Sequence, residues 1–125
     1  PLKDACMGRL AEADFVVLHN DKIVTVIEAK GSDDHIVCND DIIKIRRPGM
    51  IRTDTVKKAL TNAYLVKKTY PGVLFFIVTN HTPNSGSARC MIQKAKGDIV
   101  DMIVNITNFS EVNRMVEMIR ERLGR

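Results

Sequence analysis

The chain has 125 residues, of which 45% are hydrophobic and 27% charged, with a formal net charge of +4. That size and balance predict one soluble domain with its own core, and only seven Gly and four Pro exclude a collagenous or disordered chain. The longest strictly apolar run, from Val73 to Val78, falls far short of the roughly 20 residues a membrane helix needs, so no membrane partner is expected.

In chain order, Ala13-Asp-Phe-Val-Val-Leu18 and Ile23-Val-Thr-Val-Ile27 are two short β-branched runs separated by a polar turn around Asn20-Asp21. This pattern predicts a β-hairpin. Residues 36–46 suggest a second, smaller hairpin before the break at Pro48-Gly49. From Thr53 to about Thr69 the period becomes helical, with Val56, Ala59, Leu60, Ala63 and Tyr64 on one predicted buried face, and Pro71-Gly72 ends it. Val73–Thr79 is a continuous apolar run, as expected of a strand covered on both faces. Ala88, Met91, Ile92 and Ala95 mark a second helix, with Ser85 or Ser87 as N-cap and Gly97 as C-cap. Ile99–Ile106 is read as a fourth core strand. Ser110 is read as the cap of a last helix with Val112, Met115, Val116 and Ile119 inward and Gly124 just past its end. A hairpin followed by alternating helices and strands implies an α/β fold with a mixed four-stranded sheet flanked by helices.

The net charge hides an asymmetry. Residues 1–41 carry four Lys or Arg against nine Asp or Glu, a balance of −5, whereas residues 42–70 carry eight against one, a balance of +7. An acidic block followed by a basic one suggests a cation-gathering site beside a surface that meets polyanions. Cys6, Cys38 and Cys90 form no C-x-x-C pair and are read as free, buried small hydrophobes in a reducing compartment, so a cytoplasmic location is expected. No signal peptide opens the chain. The first residue is Pro1 rather than Met, which suggests a single domain cut from a longer chain.

Polar residues within or beside apolar strands demand a reason, because burying an unpaired carboxylate is costly. Asp14 opens the first strand, and Glu28 and Lys30 close the second, two apart and therefore on one face, while Ala29 points away. A turn centred on Asp21 sets residue 14 opposite 28, and a turn centred between Asn20 and Asp21 sets it opposite 27. A bulge would absorb the difference. Two carboxylates beside an ammonium suit a hard divalent cation with phosphate oxygens. Such a cation polarises a phosphoryl group, while the lysine orients water or stabilises the developing charge. That chemistry is phosphodiester hydrolysis.

Ala13-Asp14, thirteen residues, then Glu28-Ala29-Lys30 on adjacent strands, followed by helix, buried strand, helix, strand and helix, resembles the PD-(D/E)xK nuclease superfamily with its restriction-endonuclease-like fold. The resemblance covers roughly residues 10–110 and implies Mg²⁺-dependent cleavage (Mn²⁺ serving as a substitute) that leaves a 5′-phosphate. By position it implies Asp14 and Glu28 as metal ligands, the Ala29 carbonyl as a further ligand, and Lys30 as the catalytic lysine. Ala13 stands where the nominal motif has proline. An upstream acidic residue could come only from Asp4 or Glu12, and Lys57, Lys58 and Asn62 are candidates for a polar contribution from the following helix.

The basic block then has a use: Lys44, Arg46, Arg47, Arg52, Lys57 and Lys58 are candidate contacts to the phosphates of double-stranded DNA. With no Trp, two Tyr and four Phe, base stacking on single strands is poorly supported. The expected activity is a restriction-type DNA endonuclease whose sequence-reading domain or subunit lies outside this chain. Cutting both strands requires two active sites, which makes a homodimer an expectation. A Holliday-junction resolvase or repair nuclease on the same fold, and an inactive nuclease-fold binding domain, remain open. His19, His35 and His81 have no ligand spacing and are read as turn and surface residues. No P-loop, G-x-G-x-x-G or nucleophile elbow is present.

Overall fold

A computed structural model describes residues 2–7, 14–31, 35–38, 41–44 and 53–124. After a 3-10 turn at Lys3–Ala5 come β1 (Phe15–His19), β2 (Lys22–Ala29), β3 (His35–Cys38), β4 (Asp41–Lys44), α1 (Thr53–Thr69), β5 (Leu74–Thr79), α2 (Gly86–Ala95), β6 (Met102–Asn105) and α3 (Phe109–Arg122). The fold is α/β. One sheet has the order β1-β2-β5-β6, and β3 and β4 pair separately, from His35 opposite Lys44 to Cys38 opposite Asp41.

The hairpin forms because Asn20 and Asp21 both adopt positive φ, 51° and 63°. Two successive left-handed residues give the turn whose twist matches that of the flanking strands, and Asn and Asp tolerate that conformation. The turn sits between Asn20 and Asp21, with His19 paired to Lys22. The register then shifts between Val17 and Leu18, so that Val17 pairs with Thr25 and Phe15 with Ile27. The expected bulge is therefore present, and it makes Asp14 and Glu28 the next facing positions.

Strands β2, β5 and β6 run parallel, which requires the helical crossovers. Strand β5 is central and buried on both faces, as its unbroken apolar run predicts. On one side Val26, Phe75 and Ile77 pack against Val56, Ala59, Ala63 and Val66 of α1 and Ala88, Ile92 and Ala95 of α2. On the other, Leu74, Phe76 and Val104 pack against Val112, Met115, Met118 and Ile119 of α3. Phe75 and Phe76 are fully buried back to back, each stabilising the core by about 1.5–3 kcal/mol.

Several expectations are corrected. Tyr64 is 51% exposed, and Val66 takes its place on the buried face of α1. Met118 rather than Val116 joins the α3 core. The N-cap of α3 is Asn108, whose side chain accepts from the N–H groups of Ser110 and Glu111, two residues before the expected Ser110. Ser85 stands at the N-cap of α2 without a side-chain capping bond. Lys96 is the C-cap, and Gly97 follows it at φ 83°. Strand β6 is shorter than its apolar run. Cys6 and Cys90 are exposed rather than buried. Among the described residues no helix is long and apolar enough to cross a membrane.

Candidate active site

The parallel strands end together, and open α/β sheets bind ligands beyond the carboxyl ends of their strands. At the end of β2, Glu28 lies opposite Ile77 of β5 on the α1 side of the sheet and is only 3% exposed. The ladder continues past it, with the Lys30 N–H donating to the Val78 carbonyl at 2.8 Å. Asp14, exposed at the start of β1, accepts the Ala29 N–H through Oδ2 at 2.8 Å. This bond fastens the aspartate across the hairpin and leaves its other oxygen for a ligand.

Asn62, on α1, donates through Nδ2 to Glu28 Oε1 at 2.5 Å. Oε2 of the same carboxylate is buried without a hydrogen-bond partner. Burial pushes the Glu28 carboxyl above its ordinary value. The Asn62 hydrogen bond and the positive Lys30 oppose that rise, and the negative Asp14 adds to it. Asp14, Glu28 and Lys30 therefore interact electrostatically at one sheet end. Lys30 is half-buried and forms no ion pair among the described residues.

The donor set fits a hard cation. An orphaned carboxylate oxygen in a buried position costs about 1–3 kcal/mol, and a divalent ion relieves that cost while taking only oxygen ligands. Among the described residues no group of three or more His, Cys, Asp and Glu gathers at one point, and the carboxylates they offer an ion here are those of Asp14 and Glu28. The other orphaned buried atom, Thr25 Oγ1, lies three positions earlier on the opposite face of β2 and takes no part.

The remaining candidates divide. Lys57 and Lys58 are exposed on α1. Lys44 ends β4 in the small separate sheet. Arg46, Arg47, Arg52 and Glu12 lie outside the described residues. Asp4 is not at the site: its turn packs on the far end of α1, where the Thr69 hydroxyl reaches the Asp4 carbonyl. His19 is exposed at the end of β1, and His81 follows β5, where its N–H is held by the Thr79 hydroxyl at 3.2 Å. Asn80 had no sequence signal beyond its place after a buried strand. Its carboxamide lies so close to Gly31 that a Cβ there would meet Oδ1 at 2.8 Å, which puts it beside the Lys30 main chain.

Comparison with family models, with curated proteins and with solved structures finds no match to this chain.

Proposed function

We propose that this chain is a metal-dependent DNA endonuclease of the restriction-endonuclease-like fold, hydrolysing phosphodiester bonds of duplex DNA. The observation that carries the reading is the Glu28 carboxylate, buried on a strand end with one oxygen unpartnered, facing Asp14 across the hairpin and interacting with Lys30. A structural carboxylate would be expected to satisfy both oxygens. This one is held by one oxygen and leaves the other free.

Asp14 and Glu28 would hold Mg²⁺, or Mn²⁺ in its place, with the Ala29 carbonyl as a further ligand. When bound, the ion supplies Lewis acidity toward a phosphoryl oxygen and acidifies water. Asn62 holds the Glu28 side chain so that Oε2 stays turned to the ligand. Lys30 carries a positive charge to the same point, where it binds the scissile phosphate and stabilises charge as the water attacks. The Ala29 N–H, by engaging Asp14 Oδ2, fixes the aspartate against rotation. The basic segment at Lys44, Arg46, Arg47 and Arg52, with Lys57 and Lys58, is assigned to neighbouring phosphates.

Incubation of plasmid with the wild-type chain in Mg²⁺, and again in EDTA, tests the reading. Nicked or linear products with 5′-phosphate ends, formed only with the metal, are expected. Intact plasmid under both conditions overturns it.

A further inference from the structure

A cavity of about 310 Å³ lies between α2, the outer edge of β6 and the start of α3. Arg89 and Gln93 line it from one face of α2 and Lys96 from its C-cap, at the spacing that aligns side chains along a helix, and Thr82 closes it from the loop after β5. Ile103 forms apolar floor, and Glu111 stands on the α3 side. Arg89 and Lys96 are exposed, and among the described residues neither forms an ion pair. Glu111 keeps its charge while its carboxylate accepts the Asn105 N–H at 3.3 Å, and among the described residues it forms no ion pair with either cation.

Resting on the nuclease reading above, we infer that this groove seats backbone phosphates of the DNA strand beyond the scissile one, through Arg89 and Lys96 with Gln93 and Thr82 as neutral donors. Two cations with no ion-pair partner among the described residues, together with an amide and a hydroxyl, match the groups that bind phosphate oxygens. Seven residues at the helical rise set the Arg89 and Lys96 backbones about 10.5 Å apart, so the two cations can meet different phosphates of one strand. The placement fits as well. One polar loop runs from Asn80, beside Gly31 and the catalytic strand end, to Thr82 in the groove. β2 and β6 are separated only by β5, and Glu28, Ile77 and Ile103 are in register, so the Ile103 floor stands about 10 Å from Glu28 at the usual strand spacing. From there the groove runs to Lys96, bridged to Val100 at the opposite end of the sheet. The second cation cluster therefore comes from the part of the chain whose net balance is only +2, where sequence alone gave no reason to look.

The test is duplex binding by the full chain in EDTA, followed by anisotropy of a labelled duplex over a salt series. The Arg89→Ala/Lys96→Ala pair is compared with Lys68→Ala/Arg120→Ala, which removes the same charge from exposed positions outside the groove. The groove pair is expected to weaken binding roughly tenfold and to flatten the salt slope by about 1.8, two contacts at about 0.9 each. The control pair is expected to leave the slope unchanged. Equal effects in the two pairs, an unchanged affinity in the groove pair, or no duplex binding by the wild type overturns the inference. Cleavage is scored separately. A groove pair that binds normally while Glu28→Gln abolishes cutting removes the groove and keeps the nuclease. Loss of binding in the groove pair with no cutting by the wild type does the reverse.

Discussion

Asn62 donates to one oxygen of Glu28 and leaves the other buried without a partner. The two residues come from different elements, α1 and β2, so the packing of the helix on the sheet sets the orientation of the carboxylate. The folded chain thus retains an unsatisfied charge-bearing group, which has consequences for stability as well as for chemistry.

The first concerns pH. Burial raises the Glu28 carboxyl above its ordinary 4.5, so between that value and the raised one the folded chain binds more protons than the unfolded chain. Stability contributed by this group is therefore complete below pH 4.5 and declines as pH rises through the folded-state value. In metal-free buffer, Glu28→Gln is expected to melt several degrees above wild type at pH 8 and to show no advantage at pH 4. A wild type that is the more stable of the two at pH 8 contradicts this.

Metal should reverse the order. A ligand that binds only the folded state at a hundredfold over its Kd stabilises by about 2.7 kcal/mol. Mg²⁺ is expected to raise the melting temperature of the wild type and to leave Glu28→Gln unmoved. Equal shifts in both proteins, measured by thermal denaturation, would place the ion elsewhere.

Asp14 separates fold from function through two substitutions. Asp14→Asn keeps an acceptor for the Ala29 N–H, so it should fold as stably as wild type and lose about 100-fold or more in cleavage. Asp14→Ala loses the bond too and should be destabilised by a further 0.5–1.5 kcal/mol, about the net worth of one hydrogen bond. Chemical denaturation and cleavage rates on the same preparations check the pair.

The opposite end of the sheet carries a structural counterpart. Asp101 accepts both Lys67 Nζ at 2.6 Å and the Phe75 N–H at 2.8 Å, joining α1, β5 and the start of β6. Asp101→Ala leaves a partly buried amide and an ammonium unpaired, and should cost about 2–4 kcal/mol. Lys67→Met removes one partner and should cost less. Cleavage per folded molecule should be unchanged in both.

Much of this was legible in the residues, for identifiable reasons. The Asn20-Asp21 turn and the alternation of β1 and β2 are local signals, and the one-residue uncertainty in register was resolved by a bulge that no local pattern locates. Tyr64 fits the helical period of Leu60, yet α1 is rotated so that small Ala59 and Ala63 face the sheet and Val66 completes the stripe. Asn62 carried a readable signal, being polar between Ala59 and Val66 on that stripe. Its partner was not readable, because the contact spans 34 residues. Asn108 was missed as a cap because Ser110, two residues later, is itself a residue type that caps helices, and the exposed Phe109 between them gives no apolar period to place the first turn.

The most direct measurement is single-turnover cleavage of a duplex in Mg²⁺ by wild type, Asp14→Asn, Glu28→Gln and Lys30→Gln, each shown by circular dichroism to be folded. Wild-type cutting that falls by about 100-fold or more in every variant is the predicted result. Variants that cut at the wild-type rate, or a wild type that does not cut, would contradict the assignment of this sheet end as an active site.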